Sequence, residues 1–270
     1  MDNYFAQLWQ ELSGCTGVEA IALAGSRAGE HYDPSSDYDL YVYCSAIPIE
    51  ADRKAILAKY CSYLEIGNQF WELEDDCTLK NGIDIDIIYR DFNEITGQIS
   101  AVAEAFQARN GYTTCLWYNL INSRILYDRK GQLAGLQARF RISYPPQLKQ
   151  NIIQKNRRLL SGSLPAYDAQ IQKALRREDM VSVNHRVAAF LESYFDIIFA
   201  VNGLLHPGEK RIVALAEERA DVLPENFAEN IHTLLRSLSS QPETVLKTLD
   251  QMVAELDKII GAPSPLKPLA

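Results

Sequence analysis

The sequence predicts an α+β chain in two parts: a mixed-sheet α/β domain over residues 1–143, then an all-α helical bundle over residues 144–262, with a loose tail at 263–270. Three observations predict it. Strand-like and helix-like stretches alternate as far as Arg141. Tyr144-Pro145-Pro146 then breaks the pattern. Beyond that break nearly every stretch has helical periodicity.

In chain order, Asp2 to Leu12 reads as an amphipathic helix. Glu19 to Ala24 is a short apolar run ending at Gly25, which suits a buried strand, and the turn-forming stretch GSRAGEHYDPSS follows. Asp37 to Cys44 alternates and is rich in tyrosine and aliphatic residues, as a strand should be. Ile49 to Leu64 has helical spacing. Gln69 to Leu73 and Ile83 to Tyr89 read as strands joined through the polar turn at Lys80-Asn81-Gly82. Asp91 to Arg109 and Thr114 to Asn122 read as helices, Arg124 to Tyr127 as a last strand, and Gly131 to Arg141 as a helix. In the second part, Gln147 to Leu160, Ala166 to Arg177, Met180 to Asn202, Arg211 to Glu218, Pro224 to Leu238 and Pro242 to Ile260 are helical by period.

The chain has 270 residues, 47% of them hydrophobic, enough to bury a core. No apolar run reaches the roughly 20 residues of a membrane span. The N-terminus lacks the basic start and cleavage site of a signal peptide, so a cytoplasmic protein is expected. The cysteines, Cys15, Cys44, Cys61, Cys77 and Cys115, form no C-x-x-C pair, and reduced thiols are expected. The net charge of −8 is unevenly spread: residues 1–130 carry 20 acidic and 10 basic side chains, residues 131–270 carry 15 and 17. Overall acidity argues against a long nucleic acid as a partner.

The chemistry concentrates between Ala22 and Tyr43. Gly25-Ser26 follows a strand and opens a short turn, where a glycine lets a phosphate approach the backbone. Asp37 and Asp39 stand two apart, so on a strand they share a face, about 6.6 Å apart along the chain. Two carboxylates side by side repel unless a cation or a shared proton lies between them. Magnesium favours carboxylate, water and phosphate oxygens and suits such a pair. A second pair, Asp84 and Asp86, lies among isoleucines in GIDIDIIYR, where lone acids are costly. The economical account brings both strands to one metal site.

This pattern of Gly-Ser, then about ten residues, then D-x-D, then a third aspartate on a later strand, resembles the nucleotidyltransferase superfamily of DNA polymerase beta. Within it the chain is similar to bacterial antibiotic nucleotidyltransferases (aminoglycoside- or lincosamide-like) and their uncharacterised relatives, which carry a C-terminal helical domain. Asp86-Ile87-Ile88-Tyr89-Arg90-Asp91, Ile125-Leu126-Tyr127-Asp128, and Phe199-Ala200-Val201-Asn202 with Pro207-Gly208-Glu209-Lys210-Arg211 extend the likeness along most of the chain. The resemblance implies that Gly25 and Ser26 hold a nucleoside triphosphate, with ATP the expected donor. It implies that Asp37, Asp39 and Asp86 bind Mg2+ as a two-metal site, and that Asp84 helps as base or lines the site. An acid among Glu72, Glu74, Asp75 and Asp76 is an alternative base. Arg27 and Lys210 are candidate phosphate contacts. The expected partner is a small hydroxylated acceptor, an antibiotic being one candidate. A catalytically silent nucleotide-binding regulator, or an enzyme that nucleotidylates a protein or a tRNA end, is the alternative. Trp71, Trp117 and Tyr118 are expected in the core.

Overall fold

The structure is a computed structural model that describes residues 3–29 and 36–261. The expected start at Asp2, the middle of the loop before Asp37 and the tail at 263–270 lie outside the described residues. The described chain divides into two compact units: residues 1–100 with 119–141, and residues 101–118 with 142–270.

The first unit is a six-stranded mixed sheet with helices. Its strands are β1 (Val18–Ala24), β2 (Tyr38–Cys44), β3 (Cys61–Asn68), β4 (Leu73–Leu79), β5 (Asp84–Asp91) and β6 (Arg124–Asp128), in the spatial order β3-β4-β5-β2-β1-β6. Only β2 and β5 run parallel, and the other neighbours are antiparallel. Its helices are α1 (Asn3–Ser13), α2 (Glu50–Tyr60) and α5 (Gln132–Phe140), with most of α3 (Phe92–Ala103) and the second half of α4 (Cys115–Asn122). Alternation decides the two faces of the sheet. Leu40, Val42, Ile85 and Ile87 pack on one face with Phe5, Leu8 and Leu12 of α1 and Leu57 of α2. Phe5, Leu8 and Leu12 recur at helical spacing, and each is fully buried. Burial of a side chain of this kind stabilises by about 1.5–3 kcal/mol.

Two elements differ from the sequence expectation. The helix expected over Ile49 to Leu64 stops at Tyr60, and the chain turns extended at Cys61 to run as β3. Leu57 and Leu64 both face the core and stand seven apart, so the helical period continues by coincidence into an edge strand. The strand expected over Gln69 to Leu73 is instead the tip of the β3–β4 hairpin, and the strand itself begins at Leu73. β4 reads LEDDCTL, whose acids disguise it as a loop. At the tip Trp71 is 91% exposed, so it does not belong to the core, whereas Trp117 does.

The second unit holds α6 (Pro146–Leu160), α7 (Tyr167–Arg176), α8 (Met180–Val201), α9 (Ile212–Arg219), α10 (Phe227–Ser237) and α11 (Pro242–Ile260). The 22-residue α8 starts on an Asp179 cap, whose carboxylate accepts from the Ser182 N–H at 3.1 Å. α8 shares its core with α11, where Val245, Leu249, Met252, Leu256 and Ile259 form one stripe. The expected helix over Asp91 to Arg109 ends at Ala103, and residues 101–118 group with the bundle. Asp196 of α8 is the reason: it accepts from the Thr113 N–H at 3.0 Å, Thr113 Oγ1 at 2.6 Å and Asn156 Nδ2 at 3.0 Å. Asn156 also accepts from the Gly111 N–H at 3.1 Å, so buried polar groups on α6 and α8 satisfy this irregular segment. Among the described residues no helix is long and apolar enough to cross a membrane, and all five cysteines are free.

Candidate active site

Asp39 of β2, Glu74 and Asp76 of β4, and Asp84 and Asp86 of β5 lie on the face of the sheet that turns away from α1 and α2. In register, Asp39 of β2 pairs with Asp86 of β5, and Asp86 pairs with Asp76 of β4. Directly paired residues point to the same side, and neighbouring strands are about 4.8 Å apart, so the three carboxylates form a row about 10 Å long. The row lies at one end of the sheet, where β2 and β5 begin and β1 ends. Ala24, the last residue of β1, pairs with Asp39. The chain then turns at Gly25 into a single 3-10 turn, Ser26–Ala28. Gly25, Ser26, Asp37, Asp39, Asp84 and Asp86 are therefore gathered at one end of the sheet.

Gly25 has φ +59°, and a Cβ built on it would stand 1.7 Å from Asp39 Oδ2. The Asp39 carboxylate thus rests on the backbone of the turn, a close approach open only to glycine. Arg27 is held away from a free role: its Nε donates to the Ser36 and Asp37 carbonyls at 2.7 and 3.1 Å, and its guanidinium lies over the Tyr38 ring at 4.1 Å. It fixes the entry to β2 and with it the position of Asp37. Asp84 sits at the exposed margin and accepts from Thr78 Oγ1 at 2.7 Å. Lys210 belongs to the second unit, exposed in the turn that leads into α9.

The four acids at 72–76 separate by face. Asp75 is fully buried on the opposite face, against Arg53. Glu72 makes a two-pronged pair with Arg90, Nε to Oε2 at 2.7 Å and Nη2 to Oε1 at 3.0 Å. Arg90 also lies 3.8 Å over the Tyr41 ring, so the pair is anchored below the row. Asp76 stands in the row itself, where its Oδ2 accepts from Asn68 Nδ2. Glu74 lies one pleat from it, and burial and the Asp76 charge raise its carboxyl above the ordinary range. The period of two in Glu72, Glu74 and Asp76, which sets Asp75 apart, is the signal in the sequence that matches this division.

Electrostatics marks the row as a strained cluster. Burial, then the charges of Asp39, Asp76, Asp37 and Glu74, push the Asp86 carboxyl up to about 6. Between about pH 4 and pH 6 the folded state holds this proton more firmly than the unfolded state, so its contribution to stability falls as pH rises through that window. Asp86→Asn should therefore melt above the metal-free parent near pH 7, by no more than about 2–4 °C given solvent screening. The gap should close below about pH 4. Melting curves of both proteins across that range check this. Asp196 is also pushed up to about 6, by burial, but it is common to both proteins and cancels in the difference.

The sequence over residues 113–211 matches a domain of unknown function, DUF4037. That stretch includes Lys210 and none of the acids in the row. No curated protein matches the chain. Among solved structures the chain resembles a nucleotidyltransferase-like protein from Exiguobacterium sibiricum 255-15, with 12% identity and a TM-score of 0.44 over 96% of this chain and 74% of that one. It also resembles an aminoglycoside 6-adenyltransferase from Bacillus subtilis, at 7% identity and a TM-score of 0.30 over 98% and 94% of the two chains. A third is the CCA-adding enzyme of Thermotoga maritima in complex with tRNA, at 12% identity and a TM-score of 0.28 over 95% and 80%. Likenesses this low leave the functional argument to the site itself.

Proposed function

We propose that this chain is a nucleotidyltransferase that moves a nucleoside monophosphate, AMP from ATP, onto a hydroxyl of a small acceptor, with Mg2+ held by Asp37, Asp39 and Asp86. The observation that supports it is the row Asp39–Asp86–Asp76 at the sheet end where Gly25 and Ser26 turn. A row of like charges that raises the proton affinity of its own central member is costly in a pure binder and useful where cations and phosphates meet.

The donor chemistry fits the metal: every group in the row is a carboxylate oxygen, the ligand magnesium prefers. Among the described residues no three acidic, histidine or cysteine side chains converge closely enough to hold an ion unaided. Magnesium keeps waters and takes substrate phosphates as ligands in place of a closed protein cage. When bound, the metal supplies charge neutralisation to the transferring phosphoryl group and its leaving oxygen.

The chain's own residues do the rest. Gly25 and Ser26 hold the triphosphate, the glycine by leaving the backbone open and the serine by its hydroxyl and N–H. Arg27 sets the start of β2 through its bonds to Ser36 and Asp37. Asp76 is the acid of the 72–76 group best placed to take the acceptor proton, because it shares the row with Asp86 while Asp75 and Glu72 are committed to arginines. Asp84 lines the margin. The sheet-bearing unit is thus the catalytic domain.

Calorimetric titration with each of the four nucleoside triphosphates, with and without magnesium, tests the reading. ATP should bind with magnesium and weakly without it, and magnesium with ATP should raise the melting temperature of the parent by mass action on the folded state. Equal and metal-independent binding of all four, or no binding, overturns it. An ATP-consumption screen over hydroxylated acceptors, followed by mass spectrometry of the nucleotide adduct, then identifies the acceptor.

A further inference from the structure

A cavity lies wholly within the helical unit, away from the acidic row in sequence and in chemistry. It has a volume of about 220 Å3 and is walled by Tyr112, Leu191, Phe195 and His206, with Glu192 and Glu209 among its lining residues. Its aromatic wall is ordered. The Tyr112 and His206 rings lie 4.8 Å apart, and Phe199 supports His206 from 5.2 Å. Tyr112 takes a left-handed backbone with φ +51°, unusual for a bulky side chain, and that geometry sets its ring in the wall. Glu192 is gripped from behind, since a Cβ on Gly111 would stand 2.8 Å from Glu192 Cβ.

Polar side chains line this cavity. His206 is 1% exposed, and its Nδ1 accepts from the Gly208 N–H at 3.1 Å, which assigns the ring proton to Nε2. Nε2 has no partner, and an unmade buried bond costs stability. Burial accordingly holds the imidazole neutral, pulling it down to about 4. Glu192 and Glu209 have no ion-pair partner among the described residues. Both act on the same spot: burial, then the Glu209 and Glu192 charges, push the Tyr112 hydroxyl up to about 12. Burial also raises the Glu192 carboxyl. The cavity therefore offers aromatic and apolar walls and two carboxylates, Glu192 half-buried and Glu209 exposed.

We propose that this cavity binds a small organic cation, a single-ring molecule bearing a protonated amine, with the amine at Glu192 and Glu209 and the ring against Tyr112, Phe195 and His206. The carboxylates supply charge-assisted bonds, and Tyr112 offers a ring face to the same ammonium. The volume is smaller than the roughly 300–1,000 Å3 of sites for drug-sized ligands, so one ring fills it. A nucleoside triphosphate is excluded by its size and by the two like charges. The proposal does not depend on nucleotidyl transfer at the acidic row.

The test uses the full chain and three probes of one shape: tyramine, neutral 4-ethylphenol and anionic 4-hydroxyphenylacetate. Binding is followed by calorimetry and by NMR of labelled histidine rings. Tyramine should bind saturably with a Kd on the order of 1 mM, as expected for so few atoms. It should move the one histidine resonance that His206→Gln removes. 4-Ethylphenol should bind about tenfold more weakly, and 4-hydroxyphenylacetate more weakly still. Glu192→Gln and Glu209→Gln, both close to the native shape, should each weaken tyramine by about tenfold with unchanged melting. Equal binding of tyramine and 4-ethylphenol overturns the proposal, as does unchanged tyramine affinity in both glutamine variants. Absence of tyramine binding at about 20 mM, far above the expected constant, overturns it too.

Discussion

Asp39→Asn and Asp86→Asn should each lower nucleotidyl transfer by about 100-fold or more while leaving the protein as stable as its parent, or more so. The two effects have one cause. In the row Asp39–Asp86–Asp76 burial, and then the charges of its neighbours, push the Asp86 carboxyl up to about 6. An amide relieves that repulsion when no cation is present, and removes a hard anionic ligand when one is. Magnesium with ATP should then raise the melting temperature of the parent by more than that of either variant. Asp84→Asn should lose less, because Asp84 is exposed at the margin and already engaged by Thr78. Turnover on the acceptor found by screening, read beside melting curves, decides the matter. Near-parental turnover in both variants would remove the metal-site assignment and the proposed function with it.

How much of this site the sequence makes legible depends on where each residue finds its partner. β2 and β5 can be read locally because DYDLYVYC and IDIDII alternate against a core that needs one face of each. That alternation also places Asp37, Asp39, Asp84 and Asp86. In the β3–β4 hairpin the alternation that separates Asp75 from Glu74 and Asp76 is informative only once LEDDCTL is known to be a strand. Asp75 points into the core because Arg53, 22 residues earlier on α2, neutralises it there, and no local pattern reveals so distant a partner. β3 is an edge strand with one exposed face, and its apolar residues happen to continue a helical period. Arg27 shows the reverse limit. Its place beside Ser26 suggests a phosphate contact, yet its bonds to Ser36 and Asp37 depend on how the intervening loop returns. Trp71 follows the general expectation for tryptophan only until the hairpin tip is known. Residues 101–118 group with the bundle because Asp196 and Asn156, buried polar groups on α8 and α6, need donors and acceptors that only a folded bundle presents.

Two adjacent aspartates on β4 should fail in opposite ways. Asp75 is fully buried and Arg53 is 4% exposed, and they meet at Nη2 to Oδ1, 3.1 Å, and Nε to Oδ2, 3.0 Å. The Gly67 N–H adds a bond to Oδ1 at 2.9 Å, and the Arg53 guanidinium lies 4.7 Å from the Tyr89 ring centre. Burial pushes the Asp75 carboxyl up despite these partners, so desolvation already weighs against the pair. Removing one member strands the other charge in the core, which costs about 3–5 kcal/mol. A domain has only about 5–15 kcal/mol in all, so Asp75→Ala should unfold much of the protein or sharply lower its denaturant midpoint. Replacing both partners with apolar residues of similar shape, Arg53→Met with Asp75→Leu, should recover most of the loss, since no charge is then left alone. Asp76→Asn, one residue along and on the other face, should unfold at or above the parental denaturant concentration and lose transfer activity. Urea unfolding of the four proteins beside turnover separates the two roles. A Asp76→Asn protein as unstable as Asp75→Ala would mean that Asp76 supports the fold, and its assignment as the acceptor's base would fall.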